Sequence, residues 1–121
     1  MLMKNAGDIM EVSFGAGDFI YAKYSQDGYY YFARIESIAD QMALVKYFDD
    51  ISEYLPVEDL KTFSYCVRNL NVQGNWESNN YYYPCEIINV KIPENRIVVR
   101  YTQDGIEEDL APAMLRFEDF R

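Results

Sequence analysis

Tyr24, Tyr31 and Tyr47, with Asp50 three residues further on, form the set in this 121-residue chain best suited to do chemistry. Trp76, Tyr83, Tyr101 and Asp104 answer to them in the second half of the chain. The chemistry is recognition of a cation. Aromatic faces attract a cation through their quadrupole, by about 0.5–2 kcal/mol per contact depending on desolvation. A carboxylate alongside adds charge attraction, and a hydrogen bond when the cation keeps an N–H. Such a set suits a methylated ammonium, and the hydrogen bond favours mono- or dimethylated over trimethylated lysine. A slot of parallel rings would suit a flat guanidinium better, as in methylarginine. Aromatics also fill strand cores and cap barrel ends, so a single Tyr decides nothing. The recurrence of the whole set carries the reading.

Catalysis finds little support. The chain has no His, no nucleophile beside a base, no glycine-rich phosphate loop and no metal-ligand cluster. No enzyme activity and no cofactor are expected. The acidic pairs and triplets, Asp49-Asp50 and Glu107-Glu108-Asp109, read as solvated charge on turns and edge strands before they read as a cation site. Two cysteines, Cys66 and Cys85, are too few for a disulfide scaffold and are expected as reduced thiols. Zinc is not expected.

The elements that must position these residues are themselves repeated. Tyr29-Tyr30-Tyr31-Phe32-Ala33-Arg34-Ile35 recurs as Tyr81-Tyr82-Tyr83-Pro84-Cys85-Glu86-Ile87, and Leu44-Val45-Lys46-Tyr47 as Val98-Val99-Arg100-Tyr101. Leu55 to Leu60 matches Leu110 to Leu115. The order is that of a duplicated small domain. Unit one reads as strands over 20–24, 29–38, 43–48 and 53–55, a helical turn over 56–60, and a closing strand over 61–63. Unit two reads as strands over 72–76, 81–90, 97–102 and 107–110, a turn over 111–115, and a closing strand at 116–117. Asp27-Gly28 is a favoured hairpin pair. Five short strands in under 60 residues predict a small antiparallel barrel. The expected organisation is all-β: residues 1–13 as a leader or flexible arm, 14–64 as barrel one and 65–121 as barrel two. Alternation sets Ile20, Ala22 and Tyr24 on one face, with Tyr31, Ala33 and Ile35, and Val45 and Tyr47, on the neighbouring inward rows. In an up-down-up meander the three tyrosines converge on one rim.

The net charge is −9, with both halves acidic. This argues against nucleic acid as the primary ligand and for a basic partner. No apolar run approaches the ~20 residues of a membrane span.

These residues resemble the Tudor family of methyl-amino-acid readers. The segments that carry the resemblance are Ala22 to Ile35 with Val45 to Asp50, and Asn75-Trp76, Tyr82 to Ile87 and Val99 to Gly105. The resemblance implies two tandem SH3-like five-stranded barrels. It also implies an aromatic cage at Tyr24, Tyr31, Tyr47 and Asp50, and a second at Trp76, Tyr83, Tyr101 and Asp104. The implied ligand is a methylated basic peptide: a histone tail carrying methyllysine, or an Arg-Gly tail carrying methylarginine. A nuclear location follows from the same resemblance, with a cytoplasmic one as the alternative. The stronger face of Trp76 favours unit two, and the more acidic rim with the spare ring of Phe48 favours unit one. The remaining alternative is a structural module whose aromatics pack between the units.

Overall fold

The computed structural model describes residues 13–68, 71–76, 81–91, 94 and 96–118. Residues 1–12 of the expected arm lie outside the described residues. So do residues 77–80, 93 and 95 of the two expected turns.

Among the described residues, ten strands form one antiparallel sheet. Unit one supplies β1 (Phe19–Lys23), β2 (Tyr30–Ala39), β3 (Met42–Tyr47), β4 (Ser52–Pro56) and β5 (Leu60–Lys61). Unit two supplies β6 (Val72–Asn75), β7 (Tyr82–Lys91), β8 (Arg96–Tyr101), β9 (Glu107–Leu110) and β10 (Leu115–Phe117). Each fourth and fifth strand is joined by one 3-10 turn, Val57–Asp59 or Pro112–Met114. No helix among the described residues is long and apolar enough to cross a membrane.

The repeat is visible in detail. β3 and β8 share one in–out burial alternation, as two-faced strands should. Both β2–β3 and β7–β8 slip register at a bulge, between Ile35 and Ser37 and between Ile87 and Asn89. A bulge bends the strand and sharpens its twist. Within each unit the first strand pairs the second and the fifth.

The expected closing strand over 61–63 ends early. β5 stops at Lys61, and Phe63, expected as the end of that strand, opens a helix, α1, over Phe63–Arg68. Thr62 explains the switch: its Oγ1 accepts the Tyr65 amide at 3.1 Å, a side-chain cap that starts the helix. The cut between residues 64 and 65 therefore falls inside a helix.

The units are continuous through β10, which pairs β6 on one side and β2 on the other. Arg116 faces Gln73 in one strand and Tyr31 in the other. Two core clusters sit on this sheet. One is built wholly from unit one, around Ile20, Ala22, Ile35, Val45 and Leu60. The other joins Val72, Ile97, Val99, Leu115 and Phe117 of unit two to Tyr21 and Tyr30 of unit one. β1 is thus buried on both faces. Its inward row serves its own unit, while Tyr21 is 0% exposed in the neighbouring core. The Tyr21 hydroxyl donates to the Pro112 carbonyl at 2.9 Å, and the ring meets Phe117 edge-on.

Candidate functional site

β1 ends beside Tyr24, β2 starts just before Tyr31, and β3 ends at Tyr47. Antiparallel pairing brings these three points together. The Tyr24 ring lies 5.9 Å from Tyr31 at 87° and 5.4 Å from Tyr47 at 77°. Tyr24 thus stands near-perpendicular to both neighbours, and the three rings line an open cavity of about 180 Å³ with Phe48 and Asp49. Phe48 is 57% exposed and stands as a fourth ring at its edge.

Unit two builds the counterpart. Tyr83 lies 6.0 Å from Trp76 at 82° and 6.5 Å from Tyr101 at 87°. These rings, with Gln103 and Asp104, line about 210 Å³. All six expected rings are therefore brought together in two sets of three. The central ring differs: Tyr24, just past β1, in unit one and Tyr83 of β7 in unit two. Among the described residues no group of three His, Cys, Asp or Glu could hold a metal ion.

The rim acid of unit one is a correction. Asp49, not Asp50, lines the cavity. Asp50 points elsewhere, to an ion pair with Lys46 at 3.6 Å and a neighbouring groove bounded by Phe19, Phe32 and Phe48. The reason is a one-residue difference between two turns. In unit one the Tyr47 amide donates to Ile51, and in unit two the Tyr101 amide donates to Ile106. The longer turn of unit two places its left-handed residue at Gly105 (φ 75°), and the shorter one at Asp50 (φ 73°). Asp50 thus takes the place of Gly105, and Asp49 that of Asp104. Each of these two acids accepts, through Oδ1, the amide two residues on: Ile51 at 3.3 Å, Ile106 at 3.0 Å. Counting from the tyrosine aligns Asp50 with Asp104; the hydrogen bonds align Asp49.

Glu53 belongs to the acidic rim expected of unit one, while the hydroxyl partnerships of Glu53 and Glu108 were not anticipated. The Tyr47 hydroxyl donates to Glu53 Oε2 at 2.7 Å, and the Tyr101 hydroxyl to Glu108 Oε1 at 2.7 Å. Glu53 also accepts the Ser25 amide and hydroxyl, tying the β1–β2 turn to β4. Burial first, and then these carboxylate partners, hold the Tyr47 and Tyr101 hydroxyls well above the ordinary phenol range. Burial raises Tyr31 to about 12, helped by its hydrogen bond to Asp27 and opposed by Arg116. Tyr31, Tyr47 and Tyr101 are therefore neutral rings at physiological pH, presenting π faces and no phenolate. The available signal was the recurrence of Glu53 as Glu108, at the spacing that relates Leu55 to Leu110.

Gly74 leaves little room beside the second cavity. A Cβ there would meet the Tyr101 hydroxyl at 3.0 Å and Leu110 at 3.1 Å. Unit one has Ala22 at the matching register position, opposite Tyr31 as Gly74 is opposite Tyr83.

The outer aromatics of β2 and β7 meet at the junction of the units. Arg116 packs its guanidinium on Tyr29 at 4.0 Å and on Tyr82 at 4.2 Å from the ring centres. Its Nη1 donates to the Tyr31 hydroxyl and its Nε to Gln73 Oε1, both at 2.8 Å. The Tyr31 hydroxyl in turn donates to Asp27 at 2.7 Å. Cys66 and Cys85 are free, buried thiols, each pushed up to about 12 chiefly by burial.

No protein-family model matches the sequence, and no curated protein matches it. Among solved structures, the crystal structure of Arabidopsis thaliana AGDP1 AGD34 is similar at a TM-score of 0.40 and 10% identity, covering 87% of this chain and 82% of that one.

Proposed function

We infer that the chain is a non-enzymatic binding module that takes a methylated lysine of a basic peptide into the cavity of unit one. The observation that carries this reading is the box of perpendicular rings, with Tyr24 edge-on to Tyr31 and Tyr47 and Asp49 at the rim. A box of this shape offers several π faces to a rounded methylammonium, and the carboxylate favours a form that keeps an N–H. A guanidinium asks for flat stacking, and the place where this chain stacks one on tyrosines already holds its own Arg116. That favours lysine over arginine as the ligand. Unit one is favoured over unit two because Phe48 adds a ring where unit two has Thr102 and Gln103. The charge of −9 draws a basic tail towards either rim.

In this reading the strand orders β4-β3-β2-β1-β5 and β9-β8-β7-β6-β10 are two SH3-like barrels of Tudor type, over 14–64 and 65–121. The peptide is a histone tail, and the setting is chromatin in the nucleus.

The test is a titration of the intact chain against unmodified and methylated histone-tail and Arg-Gly peptides. Micromolar binding that needs the methyl group, is lost in folded Tyr24→Ala and persists in Trp76→Ala supports the reading. Binding to methylarginine alone reassigns the ligand. The absence of any methyl dependence rejects both and leaves the aromatics a structural role between the units.

A further inference from the structure

We propose that Arg116 is a positioning residue for the cavity of unit one, so that the second unit sets the geometry of a site none of its own side chains lines. The inference rests on the methyllysine reading for its ligand, though not for its geometry.

Arginine has donors and no acceptor. The Tyr31 oxygen must therefore accept from Arg116 Nη1 and turn its own proton to Asp27, as the two short contacts show. The hydroxyl is held from both sides. Asp27 is fixed in turn, because its other oxygen accepts the Tyr29 amide at 2.9 Å. The guanidinium is itself immobilised by the faces of Tyr29 and Tyr82 and by Gln73. Its fork spans three adjacent strands, β6, β10 and β2, at one register level. The Tyr31 ring cannot swing out of the box without breaking two charge-assisted hydrogen bonds. Walls held before the ligand arrives spare the ordering cost that binding would otherwise carry. The cation beside the box does not repel a cationic ligand unopposed, since Asp27 stands on the same hydroxyl. A lysine could supply the charge but neither the planar stack nor the fork.

The experiment compares wild type, Arg116→Ala and Arg116→Lys with a basic peptide carrying one dimethyllysine. Both variants should stay folded and lose affinity roughly tenfold, the loss of one well-made charged hydrogen bond. Millimolar methylguanidinium should restore Arg116→Ala towards wild type and leave Arg116→Lys weak. A purely structural role would show no such rescue. If Arg116→Ala does not fold, Tyr29→Leu combined with Tyr82→Leu loosens the same guanidinium and replaces it. A ligand-free readout accompanies the titration: the χ1 rotamer distribution of isotope-labelled Tyr31 from NMR scalar couplings, single in wild type and averaged in the variant. Wild-type affinity in a folded Arg116→Ala protein overturns the proposal. If wild type binds no methylated peptide, the methyllysine reading fails, and the rotamer comparison alone decides. Equal rotamer distributions in both proteins then overturn the positioning role.

Discussion

Asp49 and Asp104 hold the same place in two turns of unequal length, each with Oδ1 on the amide two residues ahead. The residue that follows is left-handed in both, Asp50 in one turn and Gly105 in the other. This equivalence separates two adjacent acids that composition treats as one.

Asp49→Asn should weaken binding of a dimethyllysine peptide by about 1 kcal/mol, roughly fivefold, with little change in stability. Asp50→Gly should leave affinity intact and raise stability slightly, because glycine takes a positive φ without the Cβ penalty. Calorimetric titration of both proteins checks this; a larger loss in the Asp50 variant would return the rim to Asp50.

Gly74→Ala should strain unit two first. The added methyl drives against the Tyr101 hydroxyl and Leu110, and overpacking of this kind costs about 1–3 kcal/mol. Trp76 fluorescence should shift, while peptide affinity stays at the wild-type value if unit one holds the methyl group. Lost affinity in a folded protein whose Tyr31 signals match wild type would move the site to unit two.

Tyr21→Ala should destabilise the whole chain by about 3–5 kcal/mol, the usual cost of removing a buried ring. Tyr21→Phe should cost about 1 kcal/mol through the hydrogen bond to Pro112. Urea unfolding followed by Trp76 fluorescence and by circular dichroism should give coincident transitions in wild type. Separated transitions would show that the two cores melt independently.

Stability should fall at alkaline pH. The Cys66 and Cys85 thiols move from 9.0 in the free group to about 12, and Tyr31 from 10.0 to about 12. A folded value raised above the unfolded one gives stability that is complete below the unfolded value and lost as pH rises through the folded one. The urea midpoint should therefore be flat to about pH 8.5 and then decline from pH 9 towards pH 12. Replacing Cys66 with Ala should shallow that decline, and an unchanged slope would assign it to other groups.

The strands were legible because both units repeat the same alternation, and Val45, Tyr47, Val99 and Tyr101 fall inward as period two requires. The convergence of Tyr24, Tyr31 and Tyr47 followed from the meander alone. Tyr21 was not legible. Alternation assigns one inward face to a strand, and β1 has two, the second supplied by residues 91 positions away in sequence. The choice between Asp49 and Asp50 was hidden for another reason. Backbone hydrogen bonds set the register of a turn, and those bonds leave no periodic trace. Glu53 had a trace, its recurrence as Glu108, but its task depends on a tyrosine hydroxyl whose direction only packing fixes.

The strand that seals unit one comes from the far end of the chain. Arg116 follows Tyr31 by 85 residues, so a ribosome releases β2 long before its partner β10. Until then the outer side of β1 and the start of β2 are a nascent chain with Tyr21 and Tyr30 uncovered. Pairings so distant close late and slowly, and unpaired strands invite association while they wait. Synthesis of this protein thus has a vulnerable interval, and its length is set by how fast unit two is translated.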